Sequence, residues 1–192
     1  RERLEAGGLR SAEVTVSEDL ERHVARQGRE VLAHLPAFSS HVLDLALWLL
    51  GPLKPLKAYP RPEAGGKAPF VSLHAVFETS AGAPVWLAAN ADDPTPVGIR
   101  CRFDDGAAWH LAPLEVLRVY RGVAVEPPAP GSNIRKYTPV LREELAADGT
   151  LKPGLRAQMK AFLSGDYGPA ATLEESLELL RSLESSLAGS LS

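Results

Sequence analysis

Cysteine is nearly missing from this chain: of 192 residues only Cys101 carries a thiol, so no disulfide framework can staple the fold. Its place in an alternating, strand-like run marks a buried, inert thiol rather than a nucleophile, and a reducing, cytoplasmic setting is expected. A long hydrophobic run is absent as well. The longest, around Val42 to Leu50, is about half of what crosses a bilayer, and no signal-peptide pattern opens the chain. A soluble protein with no membrane partner is the expectation. Charge of one sign is nowhere concentrated: 21 Lys and Arg stand interleaved with 24 Asp and Glu, for a formal net charge of -3. Such a surface releases few counterions, which argues against nucleic acid as a partner.

The missing motifs are as informative. No two glycines are separated by a single residue, so the G-x-G-x-x-G turn is absent, and no glycine-rich loop ends in Gly-Lys-Ser/Thr. This segment is therefore not expected to bind a dinucleotide by itself. There is no Cys pair, no H-E-x-x-H and no G-x-S-x-G, which removes zinc-hydrolase and serine-hydrolase chemistry.

What is present suits one ordinary domain, with 45% hydrophobic and 23% charged residues. Arg1 to Gly8 reads as the last turns of a helix ending on a glycine cap, and Ser11 to Val16 alternates as a strand. After a charged connection, Ser39 and Ser40 offer N-caps to a helix over His41 to Leu50, stopped by Gly51-Pro52. Strands are predicted near Leu56 to Tyr59, over Phe70 to Glu78, Val85 to Ala91 and Ile99 to Asp104, and after the Asp105-Gly106 turn over Ala107 to Leu111. Leu114 to Arg121 adds a further candidate. Two helices are predicted to close the chain, one after Pro153 and one from the capping box Thr172 with Glu175. Strands in the middle and helices at the flanks predict an α+β fold: an open, largely antiparallel sheet with helices on one face.

One helix carries chemistry. Apart from His41 and Asp44 the run Ser40 to Gly51 is apolar all round, so it is expected to be buried or nearly so, and polar groups there need partners or a purpose. Three residues apart, His41 and Asp44 share a side near the helix N-terminus. The helix dipole there favours a carboxylate and a neutral imidazole, which is equipment for moving a proton to or from a hydroxyl. In a competing, purely structural arrangement Asp44 satisfies first-turn amides and His41 bonds a carbonyl. Further candidates are His23, Arg26 and Arg29, which could reach an anionic substrate; Arg135, Lys136 and Tyr137, which could close over a ligand; and Trp86, Asn90 and Arg100 on strands. His34 stands seven residues before His41, but two histidines make no metal site, and no metal is expected.

The stretch His41-x-x-Asp44-Leu-x-x-Trp48-Leu-Leu-Gly51 resembles the signature helix of the Gfo/Idh/MocA oxidoreductases. Leu4-Glu-Ala-Gly-Gly-Leu9 is similar to that family's domain junction, and Gln158-x-x-x-Phe162-Leu163 with the Thr172 to Ser186 run resembles its closing helices. The resemblance implies that residues 1–192 form the substrate-binding and oligomerisation domain, with 1–9 a remnant of the helix joining it to a Rossmann domain that holds NAD or NADP. By the same implication His41 faces the substrate carbon of a sugar, a polyol or a related hydroxy compound; Asp44, Arg26 and Tyr137 are the candidate substrate contacts that the residues themselves offer. The open sheet face then makes a homo-oligomer contact, and the segment alone is inert. Family dehydrogenases commonly carry an aspartate four residues before the histidine, where this chain has Ala37. That departure keeps a non-catalytic binding or assembly module as the alternative.

Overall fold

The structure is a computed structural model describing residues 4, 8–19, 22, 25–26, 40–61, 72–147, 155–165, 174, 177 and 181. Period-two alternation becomes eight strands: β1 (Leu9–Glu18), β2 (Leu53–Arg61), β3 (Ser72–Thr79), β4 (Pro84–Ala91), β5 (Gly98–Phe103), β6 (Ala107–Leu111), β7 (Val116–Glu126) and β8 (Lys136–Ala146). Among the described residues two continuous helices accompany them, α1 (Ser40–Leu50) and α2 (Leu155–Ser164). All eight strands join one sheet in the order β2-β3-β4-β1-β5-β6-β7-β8. Every neighbouring pair is antiparallel except β1 and β4, which run parallel, so the sheet is mixed.

Alternation sorts the side chains onto two faces. On one lie Val14 and Val16 of β1, Val85 and Leu87 of β4, Phe77 of β3, and Ile99, Cys101 and Phe103 of β5, all buried. Phe103 meets the Trp109 ring edge-on, with centroids 5.0 Å apart. Each fully buried side chain of this size contributes about 1.5–3 kcal/mol of transfer free energy. Burial alone pushes the Cys101 thiol up to about 11, the inert state that its position implied.

Helix α1 roofs this face. Its leucines and alanines are good helix formers, and it ends where Gly51 turns to φ +77 while its amide still donates to the Leu47 carbonyl at 2.8 Å. Val42, Ala46 and Leu50, at i, i+4 and i+8, point into the sheet with β1 and β5 beneath. The expectation of an all-round buried helix needs correction: only one side meets the sheet, and His41 and Trp48 are exposed. By contrast α2 buries none of its residues, leaving Leu155, Met159, Phe162 and Leu163 exposed. The predicted turn at Asp105-Gly106 is present, with Gly106 at φ +78 and its amide on the Phe103 carbonyl.

One strand was not foreseen. The segment of Lys136 and Tyr137, which could close over a ligand, is β8, paired along its length with β7. Beyond β6, which reaches only to Arg121, the two strands continue as a ribbon kinked at Gly122, φ +78, where the register shifts. Both outermost strands contain proline, Pro55 and Pro60 in β2 and Pro139 in β8. Among the described residues, no helix is long and apolar enough to cross a membrane.

Candidate functional site

Successive helix residues turn by about 100°, so the buried Val42, Ala46 and Leu50 define one side of α1 and His41, Asp44 and Trp48 the opposite one. His41 is exposed, Asp44 half-buried and Trp48 43% exposed. An imidazole, a carboxylate and an indole thus share an outward stripe at i, i+3 and i+7. Asp44 lies just beyond the first turn, which holds no acidic residue, so it is not a cap for the first amides. The ring of His41 is not enclosed in the packed core. Chemically, the stripe offers a proton acceptor and donor, a carboxylate one turn away to orient a hydroxyl, and a flat apolar wall for the C–H face of a sugar.

Arg26 is helical and exposed. Tyr137 is 65% exposed on the ribbon, opposite Val125; with Pro139 and Leu141 it falls on one side of β8, and Leu141 stands opposite Tyr120. The Tyr120 ring packs against His110, on the face turned away from α1. Trp86, Asn90 and Arg100 also lie on that open face, so the sheet separates them from His41. His23, Arg29, His34, Ala37, Thr172 and Glu175 lie outside the described residues.

Two polar groupings on the open face escaped sequence reasoning. At the ends of β1 and β4, His74 Nε2 is 3.0 Å from Asn90 Oδ1, and Asn90 Nδ2 donates to Asp93 Oδ2 at 3.0 Å. The Thr95 hydroxyl and amide both donate to Asp93 Oδ1, holding its carboxyl below the usual range, while Ser17 Oγ donates to the Asp93 carbonyl. This grouping is satisfied internally and ties the two parallel strands together. In the second, Glu13 receives Arg102 at 2.8 Å and Arg100 at 3.7 Å, and Arg118 donates to Glu144 at 2.6 Å. His110 sits among them. Burial first, then the Arg100 and Arg102 guanidiniums, hold its imidazole below the ordinary value; Glu13 opposes this and Arg118 adds to it. Among the described residues, no group of three or more His, Cys, Asp or Glu could hold a metal ion.

An eight-stranded open sheet roofed on one face, with a helix presenting its polar stripe outward, is the architecture to be matched. Solved structures of oxidoreductases resemble the chain in fold. The chain is similar to a putative NADPH-dependent oxidoreductase from Desulfitobacterium hafniense, at 16% identity and TM-score 0.62, over 97% of this chain and 56% of that one. It is similar to the WlbA dehydrogenase from Bordetella pertussis, solved with NADH and UDP-GlcNAcA, at 18% identity and TM-score 0.62, over 98% and 56%. KijD10, a 3-ketoreductase from Actinomadura kijaniata solved with NADP and TDP-benzene, matches at 19% and 0.56, over 94% and 54%. At these identities the likeness shows the fold, and the chain spans little more than half the length of each structure. No family model matches the sequence, and no curated protein matches it.

Proposed function

We propose that this chain is the substrate-facing and assembly domain of an NAD(P)-dependent oxidoreductase of the Gfo/Idh/MocA type, acting on a sugar, a nucleotide sugar, a polyol or a related hydroxy compound. The observation that carries the reading is the outward stripe His41, Asp44 and Trp48 on helix α1, which packs on the sheet. The fold likeness to dehydrogenases and a ketoreductase over nearly the whole chain supports it. NAD or NADP would be held by a Rossmann domain elsewhere in a longer protein, and the two-electron chemistry belongs to that cofactor. No step of it is assigned to this chain.

In this reading the chain manages the proton. His41 takes the hydroxyl proton of an alcohol as it becomes a carbonyl, or returns one in the reverse direction. Asp44, one turn along, fixes the hydroxyl by accepting its neighbour's hydrogen bond, and Trp48 walls the ring of the substrate. Tyr137, on the ribbon side that continues the open face, carries no part of this reading, while Arg26 stays a candidate contact to the substrate. The open sheet face, with Trp86 43% exposed at its middle, is the surface through which a second copy binds. Ala37, where an acid is usual, favours a second reading in which the fold persists as a binding or assembly module without turnover.

The deciding experiment is reduction of NAD and NADP by the full-length protein against a panel of sugars, polyols and nucleotide sugars. His41→Ala is expected to lower turnover by about 10²–10⁴-fold with an unchanged melting curve. Equal turnover in that variant removes His41 from the mechanism, and no turnover of any substrate by the unaltered protein leaves the assembly module.

A further inference from the structure

The outward stripe of α1 changes character along the helix axis. Its N-terminal end is polar, with the exposed His41 and the half-buried Asp44. Beyond Asp44 the helix has no polar residue, and the exposed indole of Trp48 is flanked by the half-buried Leu45 and Leu47. With the rise of an α-helix, Asp44 stands about 4.5 Å along the axis from His41 and Trp48 about 10 Å from it. Seven residues close two turns to within about 20°, so His41 and Trp48 project in nearly the same direction. Helical side chains lean towards the N-terminus alike, which carries that separation outward to the imidazole and the indole.

Those spacings set the length of what the stripe can hold. A pyranose is built from single bonds of about 1.5 Å, which makes its ring roughly 3 Å across and about 6 Å between opposite hydroxyl oxygens. One such ring reaches from His41 to Asp44, so a reacting hydroxyl and its neighbour are held together, but it ends short of the indole. A second ring, joined to the first through a bridging atom, adds about 5 Å and lies over Trp48. The polarity of the stripe matches this division. A hydroxyl-rich unit is served by the hydrogen-bonding groups of His41 and Asp44, whereas an indole takes a flat apolar surface, either the C–H face of a sugar or an aromatic ring.

We propose that the substrate of this site is a glycoside of two linked rings, whose reacting ring lies at His41 and Asp44 and whose second ring stacks on Trp48. The proposal rests on the reading of the stripe as the substrate-facing surface, and it names the substrate class that this surface takes. The ring walled by Trp48 is then the one that keeps its oxidation state, and the indole selects the substrate by binding a part of it remote from the chemistry. One-ring sugars and open-chain polyols, which leave the indole uncovered, are the poorer substrates.

The test compares one ring with two in the full-length protein, supplied with NAD and with NADP. Each sugar of the panel is presented free, as its methyl glycoside, as its phenyl glycoside and within a disaccharide, so that an aromatic second ring is told from a sugar one. A two-ring form is expected to exceed the methyl glycoside about tenfold in kcat/KM, through a lower KM. Trp48→Leu, which keeps apolar bulk and helix propensity but lacks the flat ring, is expected to lose that preference, and Trp48→Phe to keep most of it. Melting curves accompany both variants, and since Trp48 is exposed they fold. A preference that survives in Trp48→Leu overturns the proposal while the oxidoreductase reading stands. So does equal or better turnover of free sugars, methyl glycosides or polyols by the unaltered protein. If no compound is turned over, the oxidoreductase reading itself is wrong, and the two-ring assignment with it.

Discussion

The two faces of this sheet are made by alternate residues of the same strands, yet they are governed by different physics. Under α1, Val14, Val85, Ile99, Cys101 and Phe103 exclude water and carry the stability. One residue along in each strand, Glu13, Trp86, Arg100 and Arg102 stand on the uncovered face, where ion pairs between half-exposed groups are worth little and the pattern of charge matters more than its energy. The covered face thus explains why the chain folds. The other face and the outer stripe of α1 are the surfaces that the proposed function uses.

The sharpest way to break that division is to exchange a large effect for a small one. Phe103→Ala, which empties a fully buried site against Trp109, is expected to cost about 3–5 kcal/mol in a denaturant titration; a loss below about 1 kcal/mol would mean that the roofed face is not the core. A smaller effect belongs to His110. Its folded-state value is depressed, so the folded chain prefers the neutral ring. Stability is complete above the ordinary value of 6.5 and is lost as pH falls through it towards the lower folded value, levelling off beneath. Melting temperatures should therefore drop below about pH 6.5, and His110→Gln should flatten that limb. Smallest of all, Arg102→Gln is expected to change stability by less than about 1 kcal/mol, because the ion pair with Glu13 is screened by solvent.

Much of this division was legible in the sequence, for reasons visible in particular elements. The β5–β6 hairpin was read to within a residue, because Ile99, Cys101 and Phe103 face a core while Arg100 and Arg102 do not, and because Asp105-Gly106 supplies the turn. Strand β8 was not legible. Alternation shows only where one side is dry, and β8 is wet on nearly every residue, with Pro139 and the Glu143-Glu144 pair imitating a loop. Nor could local pattern reveal the parallel pairing of β1 with β4, since the two are separated by some seventy positions. At the candidate site, His41 and Asp44 were correctly placed on one side of a helix. Which side the sheet would take was undetermined, because α1 is leucine-rich all round and only packing against β1 and β5 decides it.

The prolines on the two boundary strands have a consequence for how copies gather. Pro55 and Pro60 in β2 and Pro139 in β8, alongside Lys54, Lys57, Arg142 and Glu143, make both rims poor templates for an incoming strand. Endless lateral growth into filaments is discouraged at each end. Crowding in a concentrated solution therefore gives this molecule little purchase for fibre growth through its sheet edges.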